Sequence, residues 1–376
     1  MLAAIWRFFV ALLDWKTNWR IFTGKPAVDA VFITNMRDKV DRVRFLGKWR
    51  PKEGHFNGPR YWLNGSIAGR TRALDITTDE MATSEGRLKA KTQFASATRW
   101  AAAHGARVIV LAAATKRLFT DFELEELKAR FPGIVFTIGD NGTVLLLLQE
   151  TFRALHNSRL SHGSKVAVLG PYGLIGDVMT RALTSTGYRV VGVGPNRTGL
   201  KLAAQKYGIA TCATFSQTEE VDAVVACTHS REVRLNADII NSNLIRRKGK
   251  KLLLIDVAEP SNLGYKEWLK CKNNVIRQDA GNGYAAGLKY VLGAISYRMF
   301  RLTRGITFGC FAEGLCLAAA LKRGDNIDGD WMSVHDENMD RISRLLRYEG
   351  FEMPSPRCFG RKIESFDLGT GQGGRT

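Results

Sequence analysis

The sequence predicts an α/β fold: an N-terminal α/β substrate domain, a Rossmann-type doubly wound parallel sheet, and C-terminal helices. Three observations predict it. Short apolar runs alternate with segments of helical period along most of the chain. Three glycines, Gly170, Gly173 and Gly176, directly follow one such run, Lys165–Leu169. The composition is globular, with 376 residues, 45% apolar and 24% charged. That balance excludes a wholly disordered chain and a polytopic membrane protein. The length suits two or three domains of roughly 100–200 residues. A core of that size needs no metal or disulfide staple. Six cysteines without a Cys-x-x-Cys pair fit a reducing cytoplasm and no structural zinc site.

The first element is Met1–Leu13, apolar and aromatic. It is shorter than the about 20 residues a spanning helix needs. It lacks the basic start and small-residue cleavage site of a signal peptide. Two readings stand: a helix packed on the core, or an interfacial helix. In the second, Trp6, Phe8, Phe9 and Trp15 meet a bilayer surface, with Arg7, Lys16 and Arg20 near headgroups. Residues 40–59 read as a basic loop. From Tyr61 a strand pair turns at Asn64-Gly65. Glu80–His104 reads as a helix, because Ala90, Phe94, Ala97 and Ala101 recur at helical spacing. Ala106–Ala114 reads as a buried strand, Phe122–Arg130 as a short helix and Ile134–Ile138 as a strand. A turn over Gly139–Thr143 then leads into a helix over Val144–His156.

The second segment repeats the alternation. Strands are predicted at Lys165–Leu169, Arg189–Val193, Ala223–Cys227, Leu252–Asp256 and Val275–Arg277. Helices are predicted at Leu174–Thr186 and Gly199–Tyr207. From about Ala285 the chain reads as helical again, with a long apolar helix at Gly305–Lys322 and an amphipathic one at Asp336–Glu349. Domain boundaries are expected at 1–155, 156–292 and 293–366, with a disordered tail over 367–376.

The glycine turn has a specific physics. Gly170 permits a tight turn, Gly173 admits a pyrophosphate to the backbone, and Gly176 lets helix and strand close. Leu174 and Ile175 open a helix whose N-terminus carries partial positive charge toward the phosphates. The next strand ends in Asn196-Arg197-Thr198, without the carboxylate that holds the ribose hydroxyls in NAD sites. Arg197 can pair with a 2′-phosphate, and Asn196 and Thr198 can donate to it, so the expected cofactor is NADPH. Thr228, Asp256 and Gly281 follow or end later strands, on the sheet edge where such cofactors bind. His229 shares that edge and is a candidate substrate contact. The basic group Arg246, Arg247, Lys248, Lys250 and Lys251 reads as a solvated loop or a carrier-docking patch.

Cys310 lies near the start of a predicted helix, where a helix N-terminus favours the thiolate. Glu313 is placed to cap that start. Cys316, among leucines, reads as a core thiol. The histidines and acids form no metal-ligand cluster.

These motifs together resemble the aldehyde-forming long-chain acyl-[acyl-carrier-protein] reductases. FGCFAEGLCLAAA (Phe308–Ala320) resembles their cysteine motif, and FTIGDNGT (Phe136–Thr143) their FTTGN-type turn. GPYGLIG resembles their GATGDIG, and LLLIDVAEPSNL (Leu252–Leu263) their strand ending in Asp. The likeness covers roughly residues 60 to 352. It implies that Cys310 takes up an acyl group, and that Gly139 and Thr143 lie near substrate. Departures occur at Asp140, Asn141 and Gly142, which replace the family's Asn, Thr and His, and at Ala112–Ala114, which replace a glycine pair. The Rossmann segment also resembles shikimate dehydrogenases and glutamyl-tRNA reductases.

The expected function is therefore NADPH-dependent reduction of a fatty acyl thioester to an aldehyde, with acyl carrier protein or acyl-CoA as substrate. The alternative is an NADP-dependent shikimate-type dehydrogenase without covalent catalysis. The net charge of +19 favours anionic partners. No nucleic acid is expected, because the basic residues are not interleaved with stacking aromatics. The expected location is cytoplasmic, with peripheral attachment to an anionic membrane surface as an option.

Overall fold

The structure is a computed structural model that describes residues 12–218, 220–228, 230–242, 245–291 and 303–369. The chain divides into two compact units. One comprises Met1–Thr143 with Gly283–Glu352, the other Val144–Asn282 with Met353–Thr376. The divisions thus fall after residues 143, 282 and 352, where the sequence reading drew them at 155, 292 and 366.

The first unit begins with α1 (Trp15–Phe22), β1 (Ala30–Met36) and α2 (Lys39–Leu46). β2 (His55–Leu63), β3 (Ile67–Thr77), α3 (Ser84–Ala103), β4 (Val108–Leu111), α4 (Asp121–Arg130) and β5 (Val135–Thr137) follow. α5 (Asp140–Asn157) carries the chain across the division. The second unit holds β6 (Lys165–Leu169), α6 (Leu174–Ser185), β7 (Arg189–Val193), α7 (Arg197–Tyr207), β8 (Ala210–Cys212) and β9 (Ala223–Ala226). It continues with α8 (Ala237–Asn241), β10 (Leu252–Asp256), α9 (Tyr265–Cys271) and β11 (Val275–Asp279). The chain returns through β12 (Asn282–Ala285), β13 (Leu288–Tyr290), β14 (Ile306–Phe308), α10 (Gly309–Arg323), α11 (Asp336–Tyr348) and β15 (Phe351–Glu352).

In the first unit the sheet order is β13-β2-β3-β1-β4-β5. β1 runs parallel to β3 and β4, and β4 to β5, whereas β2 pairs antiparallel with β3 and β13. A core of Val31, Ile33, Ile76, Phe94, Ala97 and Ile109 joins α3 to this sheet. α10 packs closely on β1 and β4, because a Cβ at Gly314 would lie 2.4 Å from Val110 Cγ2. In the second unit the order is β11-β10-β9-β6-β7-β8, with every pair parallel. Read from β8 this is 3-2-1-4-5-6, the dinucleotide-fold order, with its switch point between β6 and β9. The central strands β6, β9 and β10 are buried on both faces, as near-continuous Val, Ile, Leu and Ala runs require.

Several local expectations change. Residues 40–59 are not a loop: they hold most of α2 and the start of β2. Asp38 accepts from Asp41 N at 2.8 Å as an N-cap, and Arg42 of the basic run pairs with Asp75 and Glu80. The expected turn at Gly139–Thr143 is largely the first turn of α5. The strand over 106–114 stops at Leu111, and Ala113 takes φ +56° in a 3₁₀ turn. That left-handed conformation favours glycine, and it coincides with the departure from the family's glycine pair. Among the described residues between Ala285 and α10 the chain forms β13 and β14, because β13 completes the edge of the first sheet beside β2, and residues 292–302 of the expected helical stretch lie outside the described residues. The tail is anchored as far as residue 369. Leu368 is buried in the second unit's core and accepts from Lys251 N at 2.7 Å. Residues from 370 onward, and 1–11, lie outside the described residues. Among the described residues no helix is long and apolar enough to cross a membrane.

Candidate functional site

In the first unit the starts of α5 and α10 meet around Cys310. Gly139 has φ +69°, and a Cβ there would fall 2.4 Å from Cys310 Cβ. A Cβ on Gly142 would fall 2.7 Å from Gly309 O. Two glycines thus let two helix N-termini approach closely. Glu313 does not cap its own helix. Its Oε2 accepts from Gly142 N at 2.7 Å, and its Oε1 lies 2.5 Å from Thr137 Oγ1. It therefore satisfies a first-turn amide of α5. Burial pushes the Glu313 carboxyl up to about 7, against the lowering effect of these bonds.

Lys116 enters this cluster from the turn after β4 and pairs with the buried Asp140. Burial opposes the Lys116 charge, but Asp140, Cys310 and Glu313 outweigh it and hold its pKa above the ordinary value. Asn141 is fully buried and ties down the loop before α11: its Nδ2 donates to Ser333 O, and its Oδ1 accepts from His335 N.

The Cys310 thiol is half-buried, and burial pushes it up to about 11. This reverses the expectation of a lowered pKa: desolvation outweighs the helix N-terminus. Lys116 acts toward the thiolate, whereas Asp140 and Glu313 act against it. Alkylation of Cys310 by iodoacetamide, followed on its own peptide by mass spectrometry, should quicken about tenfold per pH unit toward 11. It should slow in Lys116→Met and quicken in Asp140→Asn. Equal rates in all three proteins would mean that these charges do not govern the thiol. Of the other residues in this region, Thr143 is internal, its hydroxyl donating to Gly139 O at 3.1 Å. Cys316 is fully buried, as expected of a core thiol.

In the second unit the glycine turn stands at the switch point. Gly170 has φ +78° and faces Thr228, whose Cβ a methyl group there would meet at 3.0 Å. A Cβ on Gly176 would lie 2.0 Å from Gly170 O, so only glycine fits. Gly173 meets nothing closer than Gly170 O at 3.5 Å and is the N-cap of α6, with no side-chain cap. The amides that open α6, at Leu174 and Ile175, thus begin an uncapped helix beside an open backbone position. Residues so arranged fit a pyrophosphate.

At the end of β7, Asn196 Oδ1 caps α7 through Gly199 N at 3.0 Å, and its amide NH₂ remains a donor. Arg197 and Thr198 are exposed at the helix start, and among the described residues Arg197 has no ion-pair partner. Tyr172, inside the glycine turn, reaches this place as well. Its hydroxyl accepts from Asn196 N at 3.2 Å, and its ring covers Gly194 and Gly199.

Asp256 has a different role from the one expected. Its carboxylate accepts from Asn262 N at 3.1 Å, Leu263 N at 3.3 Å and Ala258 N at 3.2 Å, and pairs with buried Arg277 at 3.0 Å. These bonds hold the loop after β10 and leave little capacity for a ribose. Gly281 donates its N–H to Glu150 Oε2 at 2.6 Å. Burial pushes Glu150 up to about 8. His229 lies outside the described residues. Arg246 is buried and donates to Ile240 O and Lys250 O, and Arg247 pairs with Asp222. That basic group is therefore partly structural. Among the described residues no group of three or more His, Cys, Asp or Glu could hold a metal ion.

Sequence reasoning missed Lys116, Tyr172 and Glu150 as site residues. Glu150 carried a signal, a lone acid in the apolar run LLLLQETF. Lys116 carried none, since one lysine in a surface-like Thr-Lys-Arg is unremarkable.

No family model and no curated protein sequence matches the chain. Among solved structures it is similar to L-tryptophan dehydrogenase from Nostoc punctiforme, at 11% identity over 86% of this chain and 80% of that one, with TM-score 0.41. Shikimate dehydrogenase from Aquifex aeolicus matches at 13% identity over 85% of this chain and 98% of that one, with TM-score 0.37. The nucleotide-binding domain of glutamyl-tRNA reductase from Thermoplasma volcanium matches at 19% identity, over 35% of this chain and 84% of that one, with TM-score 0.26.

Proposed function

We propose that the chain is an NADPH-dependent oxidoreductase that reduces a fatty acyl thioester to an aldehyde, the acyl group being delivered on acyl carrier protein or coenzyme A. The observation that carries this reading is Cys310 at the convergence of two helix N-termini, with the Lys116 ammonium acting on its thiol. The resemblance of Phe308–Ala320 to a reductase cysteine motif supports it.

Cys310 Sγ, as thiolate, attacks the thioester carbonyl. The new S–C bond forms as the bond to the carrier sulfur breaks, and the carrier thiolate takes up a proton. With a thiol near 11, the thiolate is about one part in ten thousand at pH 7. Acylation should therefore accelerate with pH. NADPH, held by Gly170, Gly173, Leu174, Ile175 and Gly176 at its pyrophosphate and by Asn196, Arg197 and Thr198 at its 2′-phosphate, would supply hydride. Thr228 lines the same turn.

The cofactor preference has its own test. A charge-assisted contact from Arg197 is worth about 1.5–3 kcal/mol. Arg197→Ala should weaken NADPH binding about ten- to a hundredfold and leave NADH binding nearly unchanged. Equal affinity of the unaltered protein for both cofactors, by titration, would sink the assignment.

The second reading is a shikimate-type NADP-dependent dehydrogenase without covalent catalysis. The raised Cys310 pKa favours it, because a protonated thiol is a poor nucleophile. Intact-mass measurement after incubation with acyl-CoA, without NADPH, separates the two. A mass increase equal to the acyl group, lost in Cys310→Ser, supports the thioester reductase, and an unchanged mass supports the dehydrogenase.

A further inference from the structure

We propose that α1 and the groove beside it dock the protein on an anionic lipid surface. The proposal starts from a helix that stands inside out. Trp15, Trp19 and Phe22 recur at spacings of four and three within α1, so they share one helical face. They are 67%, 61% and 82% exposed, and Leu12, just before the N-cap Asp14, is 60% exposed. The inward face is polar. Asp14 is buried against Arg60, Thr17 is buried, and Arg20 grips Asp29 through two bonds of 2.9 Å. A helix on a water-soluble body turns its apolar stripe inward. Here buried ion pairs hold the opposite orientation.

The groove beside this stripe has a volume of about 650 Å³ and is lined by Trp15 and Trp62 with Lys16, Lys25, Arg107 and Lys322. Lys16 Nζ lies 5.6 Å from the Trp62 ring. Among the described residues Asp29 is the one acid on the lining, and Arg20 already neutralises it. The face therefore offers indole rings and, side by side with them, four cations that have no ion-pair partner among the described residues. Tryptophan sits well at the level of lipid headgroups, and lysine and arginine pair there with phosphate and carboxylate. An acidic protein would satisfy the cations but leave the aromatic stripe in water. A bilayer with anionic headgroups takes both. Upstream of this stripe the sequence continues apolar and aromatic. The proposal does not rest on the reductase reading.

Co-sedimentation of the full chain with vesicles tests it. Binding is expected to vesicles of phosphatidylcholine mixed with phosphatidylserine, to fall as salt rises, and to be weak with phosphatidylcholine alone. Trp19→Ser with Phe22→Ser should reduce binding at least about tenfold. Lys16→Glu with Lys25→Glu should reduce it by about fivefold or more per side chain. The side chains changed are exposed or half-buried and outside ion pairs, so both double variants should keep the parent melting temperature. In the unaltered protein, brominated lipid should quench tryptophan fluorescence, which needs no variant. Equal binding by parent and variants, equal binding to neutral and anionic vesicles, or no quenching would each overturn the proposal. So would loss, in these variants, of binding to an acidic carrier protein while no vesicle binds, which would make the face a protein surface.

Discussion

Cys310→Ser should bind NADPH as the parent does, yet lose acyl-enzyme formation and aldehyde production by at least about a thousandfold. The serine keeps the shape of a side chain that abuts Gly139, so the contact between α5 and α10 survives. Its hydroxyl stays protonated unless a base activates it. Of the acids that act on this side chain, Glu313 already accepts from Gly142 and Thr137, and Asp140 is paired with Lys116. None of them stands free as a base. Cys316→Ser is the control: it should cost about 1–3 kcal/mol of stability through a buried hydroxyl and leave the acyl-enzyme intact. Single-turnover assays with acyl-CoA, with the mass of the intact protein measured alongside, check both variants. Near-full reductase activity in Cys310→Ser would leave the dehydrogenase reading as the better one.

Asp256→Ala should destabilise the second unit by about 3–5 kcal/mol, as removal of one partner from a buried ion pair does. Arg277 is 2% exposed and, among the described residues, would keep Asp279 alone as a carboxylate partner, while the amides of Asn262 and Leu263 would lose their acceptor. Denaturant unfolding measures the loss. NADPH affinity of the fraction still folded should stay near the parent value, because Asp256 holds the loop and not the nucleotide. A large affinity loss with unchanged stability would return Asp256 to the cofactor site.

The two sites were legible to different degrees. The nucleotide turn could be read because its chemistry is local. A strand, a glycine triplet and a helix are consecutive in the chain, and Gly173 and Gly176 each meet backbone of the same connection at Gly170. The strands of the second sheet could be read for a related reason. Burial on both faces makes them continuous apolar runs, so β6, β7, β9 and β10 lie where the runs lie. β8 and the edge strand β13 escaped notice because edge pairing depends on a partner elsewhere in the chain. The tail escaped as well: Leu368 is ordered by the core it enters, not by its glycine-rich neighbours.

The Cys310 site shows the division most clearly. Residue type and helix position marked the cysteine, but its ionisation is a sum that includes burial and two groups far from it in sequence, Lys116 and Asp140. Lys116, Asp140 and Glu313 come from three separate elements, and only their convergence determines whether burial or charge prevails. Asp256 followed the same logic, since a carboxylate at a strand end reads as a ligand until Arg277 is found beside it. By itself the sequence determined the α/β class, the glycine turn and the absence of a ribose-binding carboxylate, because those depend on neighbours along the chain. Tertiary structure alone decided the state of the thiol, the structural role of Asp256 and the outward face of α1, because desolvation and ion pairing act between residues that only folding brings together.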